Sequence, residues 1–155
     1  MDNRDNKPSV FGQSLRLQDG DLRFANQELD MVVGRDNLMQ SLRAMIDTPF
    51  GSDIFNVNYG FDTLAILSGQ TTLGQTKDLI RLNIVKSLSQ DNRIREIQDV
   101  IFDDDPRYLA TLTPSAIADL RQQHIFPRRW QATVVLATVP EGDVTLQLQG
   151  TGLKA

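Results

Sequence analysis

The sequence contains no cysteine and only one histidine among its 155 residues. Without thiols it has no disulfide framework, no thiolate metal site and no cysteine nucleophile. The single histidine, His124, is too few for a zinc site of the usual nitrogen and sulfur type. It follows a predicted surface helix, where a cation-capable side chain near the C-terminus is common. We therefore expect no metal, no cofactor and no enzymatic activity.

Long apolar runs and excess basic charge are also lacking. No run approaches the length that spans a bilayer, and the N-terminus MDNRDNKPS does not have the layout of a signal peptide. We therefore expect synthesis and assembly in the cytoplasm. A net charge of −4 argues against nonspecific nucleic-acid binding. Arg128 and Arg129 beside Trp130 have the ingredients of a single-strand stacking site, but an ion pair with a neighbouring carboxylate is the default interpretation.

The length fits one domain with a sizeable core. Residues 1–13 are polar and are predicted to form a flexible N-terminal arm, and residues 14–155 to form a single domain. Leu15 and Leu17 alternate with polar residues before the turn signal Asp19-Gly20, which predicts a β-hairpin or two short strands ending near residue 33. Helices are predicted over 36–48, 62–67, 73–89 and 113–123, and strands over 94–102, 130–139 and 144–149.

These elements predict an α+β fold: a small, mainly antiparallel sheet packed against a helical cluster. An extra surface helix is expected in an insertion near residues 104–129. Asp36, Asp62 and Thr113 are the predicted N-caps of their helices. The apolar stripe of the helix over 73–89 is wide enough to predict packing on more than one side.

The block from Gly34 to Gly60 joins a helix to an unusual loop. Thr48-Pro49 ends the helix, because the residue before proline is pushed out of the helical region. The loop that follows carries many apolar side chains, which we expect to bury against the core of the protein or against another subunit. They are Phe50, Ile54, Phe55, Val57 and Tyr59.

The order of motifs in this block resembles the baseplate wedge or sheath-initiator family of contractile phage tails, type VI secretion baseplates and contractile injection systems. The motifs are a glycine, a polar pair, a Gln-Ser-Leu-Arg helix, a Thr-Pro-hydrophobic-Gly step and an Asn-x-x-Tyr-Gly turn. The resemblance extends from about Leu17 to Phe102 and resumes in the last strands. It implies a structural protein present in six copies per baseplate, bound to sheath protein and to other wedge subunits, near the inner tube and hub proteins.

The family's Glu-Pro-Arg loop, which is implied to dock on neighbouring wedge subunits, corresponds here to Asp91-Asn92-Arg93. The acid and the guanidinium are kept, and the rigid φ of proline is lost. Arg93 is suited to bidentate contacts with a partner carboxylate. An intrachain salt bridge that closes the turn is the equally weighted alternative.

The last predicted strand has no charge and no proline, the usual protections of an edge strand. Its apolar and polar residues alternate, so one face is expected to be buried. We expect its edge to accept a sheath strand by β-augmentation, in which main-chain hydrogen bonds supply the affinity. The alternative is a position inside the sheet. The residues are Val144, Thr145, Leu146, Gln147, Leu148 and Gln149.

Two rival functions come from other classes. The acidic run Asp103-Asp104-Asp105 could collect a hard cation, but it lacks the spacing of an EF-hand loop, and a solvated turn is the favoured interpretation. Glu96, Asp99 and Glu141 are the carboxylates from which a peptidoglycan-degrading glycosidase would draw its pair. The other rival is a generic adaptor whose aromatic loop binds a partner other than the sheath.

Overall fold

The computed structural model describes residues 10–68, 72–123, 129–139 and 142–151. Within these ranges the protein is α+β, as the sequence predicts, with helices and small antiparallel sheets. None of the described helices is long and apolar enough to cross a membrane. The chain divides into two compact units between Ala44 and Met45.

The first unit opens with six very short strands: β1 (Gln13–Leu15), β2 (Leu17–Gln18), β3 (Asp21–Leu22), β4 (Phe24–Ala25), β5 (Glu28–Leu29) and β6 (Met31–Val33). They form three antiparallel pairs, β1 with β6, β2 with β3 and β4 with β5. Asp19 and Gly20 turn the second pair, and Asn26 and Gln27 turn the third, all four with positive φ. Two successive positive φ values are the mark of the tight hairpin turns that match strand twist.

A ring of three backbone hydrogen bonds joins the three pairs. The N–H of Arg16 donates to the carbonyl of Asp30 at 2.8 Å, that of Arg23 to Arg16 at 2.9 Å, and that of Asp30 to Arg23 at 2.9 Å. The guanidinium groups of Arg16 and Arg23 both reach Asp30 Oδ2, with Nε–Oδ2 distances of 2.9 and 3.4 Å. We call residues 13–33 the three-armed sheet. Its three junction residues are evenly spaced in the sequence, a regularity that the prediction of one hairpin or two short strands missed.

Helix α1 (Gly34–Asp47) follows the three-armed sheet. It begins two residues before the predicted cap, so Asp36 lies in its first turn and is not the N-cap. The carboxamide of Asn37 donates to the Phe11 carbonyl at 2.7 Å, and Phe11 is only 2% exposed. Of the predicted flexible arm, residues 1–9 lie outside the described residues, and Gln13 already belongs to β1.

The second unit holds the larger sheet and the remaining elements: α2 (Thr63–Ser68), α3 (Leu73–Leu88), β7 (Ile94–Phe102), α4 (Pro106–Leu109), α5 (Pro114–Gln123), β8 (Arg129–Thr138) and β9 (Gly142–Thr151). Strands β7, β8 and β9 form an antiparallel sheet in that order. Helices α4 and α5 occupy the predicted insertion. No described side chain in either helix is buried, which confirms an extra helix at the surface.

Local side-chain caps set the helix starts, as the sequence predicts for two of them. Asp62 Oδ1 accepts the N–H of Ala65 at 2.9 Å, and Thr113 Oγ1 accepts that of Ala116 at 3.4 Å. Thr72 and Gln75 form a reciprocal capping box at the start of α3.

Helix α3 packs mainly on one side. Ile80, Ile84 and Leu88 are fully buried. Leu73 and Leu82 are 53% and 63% exposed, so the prediction that α3 packs on more than one side is wrong for these positions. The apolar stripe of α3 is wider than the part of the helix that the described residues cover.

Candidate functional site

Strand β9 lies at one edge of the three-stranded sheet. It pairs with β8 from Gly142 to Thr151 without a register shift, and no other described strand pairs with it. Val144, Leu146 and Leu148 are 7%, 0% and 5% exposed. The residues between them, Thr145, Gln147 and Gln149, are exposed. The predicted alternation is confirmed, and the described part of the chain leaves the outer edge of β9 uncovered.

The hydrogen bonds of β8 show which backbone groups of β9 face outward. The N–H of Val139 donates to Arg93 at 3.0 Å, and the carbonyl of Gln131 accepts from Asp103 at 3.2 Å. The backbone N–H and C=O groups of the odd-numbered residues of β8 therefore point toward β7, and those of the even-numbered residues point toward β9. Val134 is directly opposite Leu146, so the even-numbered residues of β9 bond to β8.

Successive residues of a strand point their backbone groups to opposite edges. The outward N–H and C=O groups of β9 therefore belong to the odd-numbered residues Thr145, Gln147 and Gln149. Their side chains are the exposed ones, so both the backbone edge and the polar face at these positions are open to a partner. Leu146, by contrast, is engaged with β8 through its backbone and with the core through its side chain.

The opposite edge of the sheet, strand β7, is protected. Two register shifts interrupt its pairing with β8. The backbone groups of Val100 point away from β8. Its carbonyl accepts a hydrogen bond from Arg81 Nε on α3 at 3.4 Å, and its N–H donates to Asp99 Oδ1 at 2.8 Å. Bulges and charged side chains are the devices by which natural edge strands avoid unwanted pairing. Sequence reasoning missed Arg81, because its target depends on how α3 lies along β7.

The predicted wedge-contact loop, Asp91-Asn92-Arg93, is closed by an ion pair within the chain. Arg93 Nε and Nη2 reach the two carboxylate oxygens of Asp91 at 2.9 and 2.6 Å, and the Arg93 N–H donates to Oδ1 at 3.0 Å. Burial raises the pKa of Asp91, but the hydrogen bonds from Arg93 outweigh it and hold that pKa below its usual range. The intrachain alternative is therefore present, and partner docking by this loop stays a prediction.

Tyr59 connects this loop electrostatically to the aromatic loop. Burial raises the pKa of the Tyr59 phenol, the carboxylates of Asp53 and Asp91 raise it further, and Arg93 partly offsets them. The positive charge of Arg93 thus lowers the pKa of Asp91 and also lowers that of the Tyr59 phenol. A change at Arg93 would reach beyond the tight turn itself.

The aromatic loop, residues 48–61, is a hydrogen-bonded structure with an apolar tip. Its base closes through Phe61 N–H to Thr48 at 2.8 Å and Phe50 N–H to Phe61 at 3.0 Å. At the tip, Asp53 Oδ1 accepts the N–H of Phe55 at 2.8 Å. The side chain of Phe55 is 94% exposed and that of Ile54 82%. Burial in the core of the protein is therefore wrong for these two side chains, and burial against another subunit stays a prediction.

The acidic run is used structurally. Asp103 is 9% exposed, Asp104 pairs with Lys77, and Asp105 caps α4 and pairs with Arg107 at 3.0 Å. The hydrogen bond from Arg107 holds the pKa of Asp105 below its usual range. Within the described ranges no group of three acidic or histidine side chains could hold a metal ion.

The remaining candidates do not converge on a site. Asp99 pairs with Arg107 at 2.8 Å, and Glu96 is exposed. Glu141, His124 and Arg128 lie outside the described residues. Trp130 is 3% exposed and packs against Phe61 with ring centroids 5.9 Å apart, so its ring is not available to stack on a base.

Comparisons with known proteins add no relative. No protein-family model matches the chain, and no significant match was found among curated proteins or solved structures.

Proposed function

We propose that this chain is a structural component of the baseplate of a contractile injection machine, a phage tail or a related particle. It would join the inner wedge in six copies beside the tube and hub proteins, after assembly in the cytoplasm. There it would start sheath polymerisation by accepting a strand from a sheath subunit on the outer edge of β9. The motif order between Gly34 and Gly60 supports a baseplate protein, and the open β9 edge of the three-stranded sheet supports strand addition as the mechanism.

The observation that carries the mechanism is the difference between the two edges of the sheet. The β7 edge is bulged and covered by side chains at Val100. The β9 edge is regular over ten residues and uncharged from Val144 to Gln149. A long, regular, uncharged edge is a ready template for another chain, and proteins without such a role usually protect it. Strand addition at this edge would use the outward groups of Thr145, Gln147 and Gln149.

The proposal is tested by removing one outward donor. Gln147→Pro deletes an N–H that faces away from β8, at a position where the side chain is exposed. In particles carrying this variant, we expect baseplates that contain the protein but bear no extended sheath in electron micrographs. Gln147→Ala is the matched control, because it removes the same side chain and keeps the N–H. Full-length sheath on Gln147→Pro baseplates would refute strand templating.

Wedge contact by Arg93 needs a variant that spares the turn. A charge reversal at Arg93 alone would also place two acids together, because Asp91 already binds its guanidinium. The exchange Asp91→Arg with Arg93→Asp keeps an ion pair in the turn and reverses its polarity toward a partner. Weakened co-purification with wedge subunits would support docking by this loop. Unchanged recovery would leave Arg93 with its intrachain role alone.

A further inference from the structure

The three-armed sheet presents an apolar face to solvent. Its apolar side chains are between 38% and 67% exposed. They occupy alternating positions on either side of the junction residues Arg16, Arg23 and Asp30. We call them the outer apolar face, which consists of Leu15, Leu17, Leu22, Phe24, Leu29, Met31 and Val33.

The strand register places these side chains together. Leu15 is directly opposite Met31, Leu17 opposite Leu22, and Phe24 opposite Leu29. Directly opposed residues of an antiparallel pair project from the same face of the sheet. Each arm therefore contributes one apolar pair beside the junction. The intervening side chains of Arg16, Arg23 and Asp30 meet one another on the other face, at Asp30 Oδ2.

Helix α1 packs on that other face. Ser14 and Val32, which share the alternation of Arg16 and Asp30, are the residues that turn toward it. Ser14 Oγ hydrogen-bonds to Asn37 Oδ1 of α1 at 2.5 Å, and Val32 is 2% exposed. A sheet with one covered face normally puts its apolar residues on the covered side and its polar residues in water. Here the exposed face carries the seven apolar side chains, and the other face carries the charged residues Arg16, Arg23 and Asp30 beside Val32. An exposed apolar face of this kind is typical of a surface that binds a partner.

The charges around the face select the kind of partner. The two hairpin tips carry Asp19, Asp21 and Glu28 and no basic residue. Both arginines of residues 13–33 are paired with Asp30. An anionic membrane or a nucleic acid would be repelled by these tips, and a second copy of the chain would bring like charges together.

We propose that the outer apolar face binds a protein segment that is apolar on one side and flanked by lysine or arginine. Apolar contact with the seven side chains would supply most of the affinity, and basic residues near Asp19, Asp21 and Glu28 would set the orientation. This surface belongs to a different unit from the β9 edge, so the inference is independent of sheath templating.

The test uses the full chain and two synthetic amphipathic helices with the same leucine face, one with lysine and one with glutamate on the polar face. Binding is followed by fluorescence anisotropy. We expect the lysine peptide to bind and the glutamate peptide to bind at least about tenfold more weakly. Phe24→Ser should lower the affinity for the lysine peptide by about tenfold, as truncation of an interface anchor does. Phe55→Ser is the matched control, since it makes the same change at a more exposed phenylalanine of the other unit.

A second variant examines the charges. The double change Asp21→Lys and Glu28→Lys, at tip positions without a positive φ, should reverse the preference between the two peptides. Equal affinity of the Phe24→Ser and Phe55→Ser variants for the lysine peptide would overturn the proposal, as would equal binding of both peptides to the unmodified chain. Sedimentation that shows a dimer abolished by Phe24→Ser, with no peptide binding, would instead assign the face to a second copy.

Discussion

The indole ring of Trp130 lies over Gly150, its direct partner across strands β8 and β9. A Cβ atom at position 150 would be 2.6 Å from Trp130 Cε2, well inside contact distance. Trp130 is also in contact with Phe61. The absence of a side chain at Gly150 therefore leaves the space in which the buried Trp130 ring packs. Gly150 lies near the C-terminal end of β9, the strand proposed to accept the sheath strand.

Substitution at Gly150 should be costly. Gly150→Val forces Trp130 or the end of β9 to move, and overpacking of this kind costs about 1–3 kcal/mol. We expect a lower melting temperature and a change in tryptophan fluorescence, since this is the only tryptophan of the chain. Gly74→Ala is the control, because a Cβ there meets nothing within 4 Å. A melting temperature for Gly150→Val equal to that of the unmodified protein would show that the ring does not cover Gly150.

The base of the aromatic loop depends on Gly60. This residue has a φ of +110°, and an added Cβ would lie 2.6 Å from the Thr48 carbonyl oxygen. Its own carbonyl accepts a hydrogen bond from the buried Ser87 hydroxyl at 2.9 Å. Gly60→Ala combines backbone strain with a clash, so we expect destabilisation of about 2–3 kcal/mol in urea unfolding. Ser87→Ala should cost less, about 1 kcal/mol, because it removes only the hydrogen bond. The reverse order would contradict this account of the loop.

Local patterns predicted the second unit well. The apolar period of α3, the alternation along β9 and the caps Asp62 and Thr113 each depend on residues a few positions apart. Such patterns are set by helix and strand geometry and are therefore readable in one sequence. The regular last strand and its buried residues Val144 and Leu146 were found in this way.

Long-range contacts could not be predicted in the same way. The three-armed sheet needs a ring of backbone hydrogen bonds among Arg16, Arg23 and Asp30, and no single turn signal implies it. The exposure of Leu82 depends on how much surface faces α3, and the pairing of Arg81 with Val100 depends on the position of that helix along β7. The outward direction of the Gln147 backbone follows only from the strand register.

The Asp91–Arg93 pair should make stability depend on acid pH. Because the pKa of Asp91 is lowered in the folded state from 3.8, the pair stabilises the fold fully above that value. Its contribution is lost as the pH falls below 3.8 through the folded pKa. At neutral pH we expect Asp91→Asn to cost about 1.5–3 kcal/mol, the range for hydrogen bonds to charged groups. Thermal melts should show the difference from the unmodified protein closing as the pH falls below about 4. A constant difference across that range would exclude the ionised pair as its cause.

The junction of the three-armed sheet should depend on Asp30. One carboxylate oxygen receives both Arg16 and Arg23, so Asp30→Asn leaves two guanidinium groups close together without a counter-charge. The three backbone hydrogen bonds of the ring join the same residues, and we expect the N–H groups of Arg16, Arg23 and the substituted residue to exchange with deuterium about tenfold faster in the variant. Asp19→Asn is the control, because asparagine tolerates the positive φ of that turn position. If both variants exchange like the unmodified protein, the ring is held by the backbone alone, and the shared carboxylate contributes nothing to it.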